Sequence, residues 1–119
     1  LILQFYVNKD KLSVKMYQRS ADAFLGLPFN IASTSLLLSI IAKLCNLTPS
    51  NVTISLGDCH VYESHKEAVL KQLSRVQYNE PMLKIPDFKT LEEVENSSLE
   101  DYIISDYDHH SGIRADMIA

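Results

Sequence analysis

The sequence predicts an α+β fold in which a mixed, largely antiparallel sheet packs against one long buried helix. Two runs rich in β-branched and aromatic residues, 1–8 and 11–20, flank the turn-forming residues NKDK and predict a hairpin. A third run, 51–63, alternates between apolar and polar positions as a strand does. Residues 28–46 carry one charge, on Lys43, so we expect this helix to be buried nearly all round.

The length and composition indicate one folded globular domain. The chain has 119 residues, enough for a single core, and 46% of them are apolar and 22% charged, which is ordinary for a globular protein. No linker, repeat or low-complexity segment divides the chain. We therefore expect one domain over residues 1–119.

Charge and hydropathy argue against two classes of partner. The net charge is -4 and no Lys/Arg cluster is present, whereas nucleic-acid binding needs a basic surface. The longest apolar run, Leu36–Leu44, has about half the length that a bilayer span requires. We expect neither a nucleic acid nor a membrane as a partner.

The two cysteines, Cys45 and Cys59, lie in apolar or alternating segments and show no CxxC spacing. Neither a zinc site nor a disulfide framework is indicated by that arrangement. We expect reduced, buried thiols in a cytoplasmic protein, and no metal site.

Alternation within the strands assigns residues to faces. In the second strand the apolar residues Leu12, Val14 and Met16 share one face, and Arg19 ends the strand on the other. One face of the third strand is apolar for three positions and polar for the next three, in the order Val52, Ile54, Leu56, Asp58, His60, Tyr62. A strand that leaves the core for a cleft has this pattern, and so does a strand that reaches solvent.

The remaining elements are shorter. Pro28 suits the first turn of the long helix, where its missing N–H is not needed. Residues 65–76 predict an amphipathic helix with Val69, Leu70 and Leu73 inward. A short strand after Pro81, an acidic helical stretch and a strand within 102–107 lead to the tail.

Three polar clusters stand near the ends of these elements: residues 19–22, Asn30 and residues 58–62. Taken singly, Arg19 suits a solvated strand end, Asn30 a helix start and His60 a half-buried imidazole. Taken together, an arginine beside a hydroxyl suits a phosphate, and an amide offers the donor and acceptor that a planar base needs. A His and a Tyr can hold a sugar hydroxyl. The combination indicates nucleotide recognition.

Sequence motifs at these clusters resemble one enzyme family. The stretch YQRSADAFLGLPFNIAS, residues 17–33, resembles the thymidylate synthase signature, and GDCHVY, residues 57–62, resembles that family's G-D-x-H-x-Y. The closing segment DYDHHSGIRADMIA, residues 106–119, is similar to the family's C-terminal segment. The resemblance covers essentially the whole chain in order, and it implies a thymidylate synthase-like fold whose sheet packs against that of a second copy in a homodimer.

The resemblance implies reductive methylation of dUMP to dTMP, with methylenetetrahydrofolate as the cosubstrate. It assigns Arg19 and Ser20 to the phosphate, Asn30 to the uracil edge, and His60 and Tyr62 to the ribose 3′-hydroxyl. The full implied dUMP-binding set is Gln18, Arg19, Ser20, Ala21, Asp22, Asn30, His60, Val61 and Tyr62. Within it, Asp22 and Asn30 carry the implied catalytic roles.

The same resemblance implies a folate site. Asp22 would meet the pterin ring, while Leu25, Gly26 and Phe29 would line its apolar groove. Ile118 in the tail would close over the cofactor.

The chain also departs from the family pattern. The family's nucleophilic Cys would fall immediately before Leu1, so we expect this chain to be a C-terminal portion of the domain, inactive on its own. Cys59 does not substitute, because it occupies the variable motif position and faces away from His60. In the tail, His109 replaces a Pro, Arg114 a Lys, and Ala119 a larger aliphatic residue.

Two other classes of function stay open. A nucleotide-binding or regulatory module that has lost the nucleophile would keep the same pocket, and a protein-interaction fragment would have no ligand. The residue at the nucleophile position upstream of Leu1 separates the enzyme from the first of these. Retention of the ligand-type residues disfavours the second.

Overall fold

The computed structural model of the protein describes residues 1–118. Its helices and strands follow in chain order: β1 (Ile2–Asn8), β2 (Lys11–Asp22), α1 (Leu27–Leu44), β3 (Thr48–His60), α2 (Lys66–Leu73), β4 (Met82–Lys84), α3 (Leu91–Glu95) and β5 (Ile103–Ser105). Short 3-10 turns occupy Glu63–His65 and Leu99–Asp101. This arrangement confirms the predicted α+β class.

A three-stranded sheet, ordered β1-β2-β3, forms the larger half of the structure. The β1–β2 hairpin is antiparallel, as predicted, and Lys9 in its turn has a φ of 56°. Strand β3 pairs with β2 in parallel after the crossover through α1. Strands β4 and β5 form a separate antiparallel pair. The two sheets together are mixed.

The core lies between α1 and the face of β2 that alternation predicted. Leu12, Val14 and Met16 are buried there, and Leu38 and Ala42 of α1 pack against the first two. The helix begins at its N-cap, Gly26, with Pro28 in the first turn, where proline's fixed φ favours helix entry.

The end of α1 is defined by a left-handed residue. Asn46 has a φ of 54°, its N–H donates to the Lys43 carbonyl, and the Leu47 N–H donates to the Ala42 carbonyl at 2.8 Å. These two bonds satisfy carbonyls that the last turn leaves without helical partners, in the Schellman pattern. The chain can therefore reverse at once into β3.

Helix α1 is less enclosed than its composition predicts. Its buried residues are Thr34, Leu38 and Ala42, which form one stripe, while Phe29 and Ile31 are exposed. By length and composition α1 could cross a membrane, but a core helix of a globular protein passes the same test. Here α1 packs on β2 and β3.

Two further expectations about burial are wrong for residues 1–118. Leu70 and Leu73 of α2 were expected to face inward, yet they are 57% and 76% exposed because no element of the described chain covers that side. Cys45 and Cys59 are free, but both are exposed. Cys45 is the C-cap of α1, and Cys59 lies on the open face of β3.

Candidate functional site

The parallel pairing of β2 and β3 brings two of the predicted polar clusters together. Ser20 lies opposite Asp58, and Asp22 lies opposite His60, so both strands end at the same edge of the sheet. The next residue, Ala23, extends the contact by donating its N–H to the His60 carbonyl at 2.9 Å. Residues 19–22 and 58–62 therefore form one surface.

Arg19 is an exposed cation at this edge. Ser20 beside it is half-buried, and Ala21 is buried, so the backbone that carries the guanidinium is fixed while the side chain reaches solvent. Within residues 1–118, the ion pairs do not include Arg19. A guanidinium and a hydroxyl with this exposure can bind an anion such as a phosphate.

Gly57 lets the two strands approach each other beneath Arg19. A Cβ built on Gly57 would lie 2.5 Å from the Arg19 carbonyl oxygen, a distance that real Cβ atoms do not tolerate. Because the neighbouring atom belongs to the backbone, it has no freedom to rotate away. Gly57 is thus required for the close spacing of β2 and β3 at Arg19.

Asn30 joins the site from the first turn of α1 through Gln18. The Gln18 Nε2 group donates to Asn30 Oδ1 at 3.1 Å and to the Ser20 carbonyl at 2.9 Å. The first bond orients the Asn30 amide, since its Oδ1 must face the donor. Gln18 Oε1 is buried and has no hydrogen-bond partner within residues 1–118. A buried acceptor of this kind is suited to a ligand donor or a bound water.

Asp22 organises the turn between β2 and α1. Its Oδ1 accepts hydrogen bonds from the N–H groups of Phe24 and Leu25, at 2.9 and 3.1 Å. Both bonds use Oδ1, so Oδ2 is the carboxylate oxygen open to a ligand. This Asx-type turn has a stereochemical basis, because a short carboxylate reaches the amides two and three residues ahead.

Gly26 completes that turn. Its N–H donates to the Asp22 carbonyl, and its own carbonyl accepts from the Asn30 N–H, each at 3.1 Å. A Cβ at this position would lie 3.2 Å from the Asp22 carbonyl oxygen and 3.8 Å from Asn30 Oδ1. Because Gly26 has no side chain, the narrow space between Asp22 and Asn30 stays unfilled.

His60 and Tyr62 stand together at the end of β3. Their rings meet edge to face with centroids 5.1 Å apart, and His60 Nδ1 lies 3.3 Å from Asp58 Oδ1. If Nδ1 carries the proton toward the carboxylate, Nε2 of His60 is left as an acceptor for a hydroxyl. Val61 between them is 49% exposed.

A cleft next to the turn contains part of the predicted folate site. It measures about 270 Å³, and its apolar wall includes Phe24, Leu25, Pro28 and Phe29. Arg75 of the segment after α2 lies on its other side. Apolar and aromatic walls with a few polar groups suit a flat heterocycle.

The structure places Ile118 elsewhere. Ile118 lines a separate cavity of about 280 Å³ together with His65, Ala68 and Asp116, and it is absent from the lining of the cleft that holds Leu25 and Phe29. Of the predicted folate residues, Leu25 and Phe29 line the cleft, Asp22 and Gly26 belong to the turn that carries Leu25, and Ile118 lines the separate cavity.

A larger groove contains none of the predicted site residues. It measures about 920 Å³ and is an open groove beside α3, β4 and β5. Residues 1–118 contain no group of three or more His, Cys, Asp or Glu side chains that could hold a metal ion. The predicted polar site residues lie instead at the ends of β2 and β3 and at the start of α1.

Three residues of the site received no role from the sequence. Gly57 belongs to the GDCHVY motif, but its close contact with the Arg19 backbone could not be recognised before the pairing of β2 with β3 was known. Phe24 sits inside the Asp22 turn, and His65 is 1% exposed and packs against both Phe24 and Tyr62. The available signal for His65 was its position three residues after Tyr62, at a helix start.

Comparison with known proteins shows the family of the chain. The family model described as thymidylate synthase matches residues 1–119. The chain is 46% identical over 114 residues to the thymidylate synthase of Francisella tularensis subsp. holarctica, covering 96% of this chain and 41% of the relative.

Two parasite proteins are also similar. The chain is 44% identical over 120 residues to the bifunctional dihydrofolate reductase-thymidylate synthase of Plasmodium chabaudi, covering 100% of this chain and 20% of the relative. The bifunctional protein of Plasmodium berghei shows the same identity and coverage. The chain thus spans about a fifth to two-fifths of the length of these relatives. With a family match along its whole length and relatives at 44–46% identity, this chain belongs to the thymidylate synthase family.

Proposed function

We propose that this chain forms the dUMP-binding and folate-binding part of an enzyme that converts dUMP to dTMP by reductive methylation. One observation carries the proposal: the parallel register of β2 and β3 puts Ser20, which follows Arg19, opposite Asp58, and Asp22 opposite His60. Asn30 joins the same surface through its hydrogen bond from Gln18. These groups complement a phosphate, a sugar and a pyrimidine.

Each part of dUMP has a chemically matched residue. Arg19 and Ser20 would bind the phosphate through charge-assisted hydrogen bonds. The oriented amide of Asn30 would pair with the uracil edge, which presents both a donor and an acceptor. His60 and Tyr62 would hold the ribose 3′-hydroxyl, with Ala21 and Val61 contributing backbone groups.

The cosubstrate would occupy the cleft beside the Asp22 turn. Methylenetetrahydrofolate supplies both the one-carbon unit and the hydride of the proposed reaction. The apolar walls formed by Leu25 and Phe29 fit the flat ring of a pterin, and Oδ2 of Asp22 can accept a hydrogen bond from it. Asp22 and Asn30 are the residues of this chain with proposed catalytic roles, since both would touch reacting ligands.

The nucleophile of the proposed reaction would be a Cys supplied by the part of the domain upstream of Leu1. Cys59 is a poor substitute because it pairs with Ala21 in the register and alternates to the opposite face from His60. We therefore propose that residues 1–119 alone do not turn over dUMP. A purified fragment that produced dTMP would contradict this.

A homodimer in the cytoplasm is part of the same proposal. Strand β1 exposes large apolar side chains, with Ile2 at 65%, Tyr6 at 67% and Val7 at 52% exposure. An apolar edge and face of this kind are suited to burial against another subunit. The alternative function is a nucleotide-binding module without the nucleophile, which would bind dUMP but form no dTMP.

Arg19 provides the test of the nucleotide site. In the full-length protein, we expect Arg19→Ala to weaken dUMP binding by roughly 1.5–3 kcal/mol, the range for hydrogen bonds to charged groups. Arg19→Lys should recover part of the loss, because an ammonium keeps the charge but lacks the planar fork. Isothermal titration calorimetry measures both.

Deoxyuridine, which has no phosphate, is the matched control ligand for this experiment. Its binding should be nearly unchanged by Arg19→Ala. An equal loss for dUMP and deoxyuridine would reject the phosphate role of Arg19. Detection of dTMP in the same protein with folate added separates the enzyme from the binding module.

A further inference from the structure

His65 is the one buried titratable side chain of residues 1–118. It is 1% exposed, at the junction between the 3-10 turn Glu63–His65 and α2. Its ring contacts Phe24 at a centroid distance of 5.5 Å and Tyr62 at 5.6 Å. Its Nε2 lies 2.7 Å from the backbone oxygen of Asp116, in the C-terminal tail. His65 therefore touches the Asp22 turn, the end of β3 and the tail at once.

The hydrogen bond to Asp116 determines the tautomer of His65. A carbonyl oxygen only accepts, so Nε2 must carry the proton that is shared with it. Nδ1 is buried and has no partner within residues 1–118. A neutral ring with its proton on Nε2 needs only an acceptor at that atom.

We propose that His65 is a positioning residue that docks the tail onto the nucleotide-binding end of β3. The Nε2–H group donates a hydrogen bond to the Asp116 carbonyl, and the ring packs against Tyr62 and Phe24. The position of the tail therefore depends on the positions of these two rings. This docking places Ile118 over the cavity that His65, Ala68 and Asp116 share. Tail position and site geometry are thereby coupled through one side chain. The docking contact itself does not depend on the proposed function. Only the expected effect of the docked tail on catalysis rests on that function.

The first test measures tail docking without any ligand. Arg114 lies in the docked segment, so trypsin cleavage after Arg114 in the full-length protein reports its release. His65→Phe keeps an aromatic ring against Phe24 and Tyr62 but removes the donor. We expect cleavage to become about tenfold faster, the factor that loss of one hydrogen bond worth ~1.4 kcal/mol gives.

Conservative rescue separates the hydrogen bond from simple packing. In His65→Gln the amide nitrogen can reach the position of Nε2, and cleavage should return to within about twofold of the original rate. In His65→Asn the shorter amide stops near the position of Nδ1, and cleavage should stay fast. His109→Phe is the control, since His109 is an exposed tail histidine whose Nδ1 bonds only to the adjacent His110 carbonyl. Equal cleavage rates in all variants, or a His65→Gln rate as fast as that of His65→Phe, would overturn the proposal.

A measurement on the unmodified protein covers the case in which His65→Phe does not fold. Nitrogen-15 NMR of the imidazole should show the neutral tautomer with its proton on Nε2. A proton on Nδ1 alone would leave Nε2 facing a carbonyl with no donor, and would overturn the docking bond.

Kinetics then connect docking with the proposed reaction. His65→Phe should raise the KM for folate about tenfold while the dissociation constant of dUMP changes by less than about twofold, because the ring contact with Tyr62 is kept. Unchanged folate KM in a protein whose tail is released would refute the catalytic consequence. Failure of the original protein to bind dUMP would instead reject the proposed function, and the cleavage and NMR results would stand separately.

Discussion

Residues 1–65 and residues 66–118 are stabilised by different kinds of interaction. Among residues 1–118, every buried side chain except Phe88 belongs to the first segment, where α1 packs on a sheet whose strands come from distant parts of the chain. The second segment has elements of three to eight residues and exposes most of its apolar side chains. Its order depends on local hydrogen bonds, such as the capping boxes at Thr90 and Ser98.

The difference between the two segments shows which parts of the proposed site are fixed by core packing and which are not. The proposed nucleotide-binding residues lie on β2, β3 and the start of α1, which are fixed by core packing. The tail that carries Ile118 belongs to the locally stabilised segment, and such segments open more readily than a packed core. The proposed nucleotide site is therefore built on the packed core, and the tail is held against it by contacts such as that of His65 with Asp116.

The largest expected effect is on the core of the first segment. Leu38 is 2% exposed and packs with Leu12 and Val14. Leu38→Ala should lower the free energy of unfolding by about 2–5 kcal/mol, through lost burial and the cavity left behind. Denaturant unfolding of the full-length protein measures this. Leu99→Ala, at a side chain that is 87% exposed, is the matched control, and comparable losses in both would contradict the division into two segments.

A somewhat smaller effect is expected where the two strands approach at the site. Gly57→Ala introduces a methyl group 2.5 Å from the Arg19 carbonyl oxygen, so the strands must separate. We expect about 1–3 kcal/mol of destabilisation, the usual range for overpacking, together with weaker dUMP binding because Arg19 moves. Gly112→Ala in the tail meets nothing within 4 Å and should change neither quantity. Similar behaviour of the two alanine variants in melting and titration would show that the close approach is unimportant.

The second segment should respond locally to loss of a cap. Thr90 Oγ1 accepts from the Glu93 N–H at 3.3 Å, and the Glu93 carboxylate bonds back to the Thr90 N–H. Thr90→Ala should cost about 1 kcal/mol of helix stability, and Thr90→Ser should retain most of it. Hydrogen exchange of the amides of α3 should accelerate while the global unfolding midpoint stays unchanged. An equal fall in global stability would show that α3 belongs to the same cooperative unit as the core.

The smallest effect concerns an ion pair that joins the two segments. Lys43 of α1 and Lys89 both contact Asp87, at 3.1 and 3.2 Å, and their hydrogen bonds lower the pKa of Asp87 below 3.8. Because the folded-state pKa is depressed, the stabilisation is present above pH 3.8 and is lost as the pH falls through the lowered value.

The pair is exposed, so salt screens it and its contribution is small. In Asp87→Asn the free energy of unfolding should fall less between neutral and acidic pH than in the original protein. This difference between the two proteins should shrink at high salt. Asp108→Asn removes an equal charge from the tail and is the control. An unaltered profile in Asp87→Asn would show that the contacts with Lys43 and Lys89 do not contribute to folding.

The sequence was sufficient for features that depend on local patterns. Alternation identified the buried face of β2, because side chains on a strand alternate strictly and Leu12, Val14 and Met16 had to share a side. The resemblance to family motifs predicted Arg19, Asn30 and His60 as members of one candidate site, and this stays a prediction. The β1–β2 hairpin followed from a short turn between two β-rich runs.

Features that depend on distant partners were not predictable in the same way. The parallel pairing of β2 with β3 results from the crossover through α1, and nothing local to either strand specifies it. His65 has an ordinary helix-start context, and its contacts with Phe24 and with Asp116 in the tail come from distant parts of the chain. The exposure of Leu70 and Leu73 depends on which elements lie nearby, whereas their spacing reports only that they share a helix face.

The crossover between β2 and β3 also has a consequence for folding kinetics. Ala21 meets Cys59 about forty residues later, so this pairing must await closure of a long loop, whereas the β1–β2 turn closes at once. We therefore expect the β2–β3 edge, where the proposed nucleotide site lies, to form later than the β1–β2 hairpin. A nucleotide that bridges the two strands would slow unfolding as well as stabilise the native state, since it binds only the completed edge. The kinetic lifetime of the fold would then depend on nucleotide concentration.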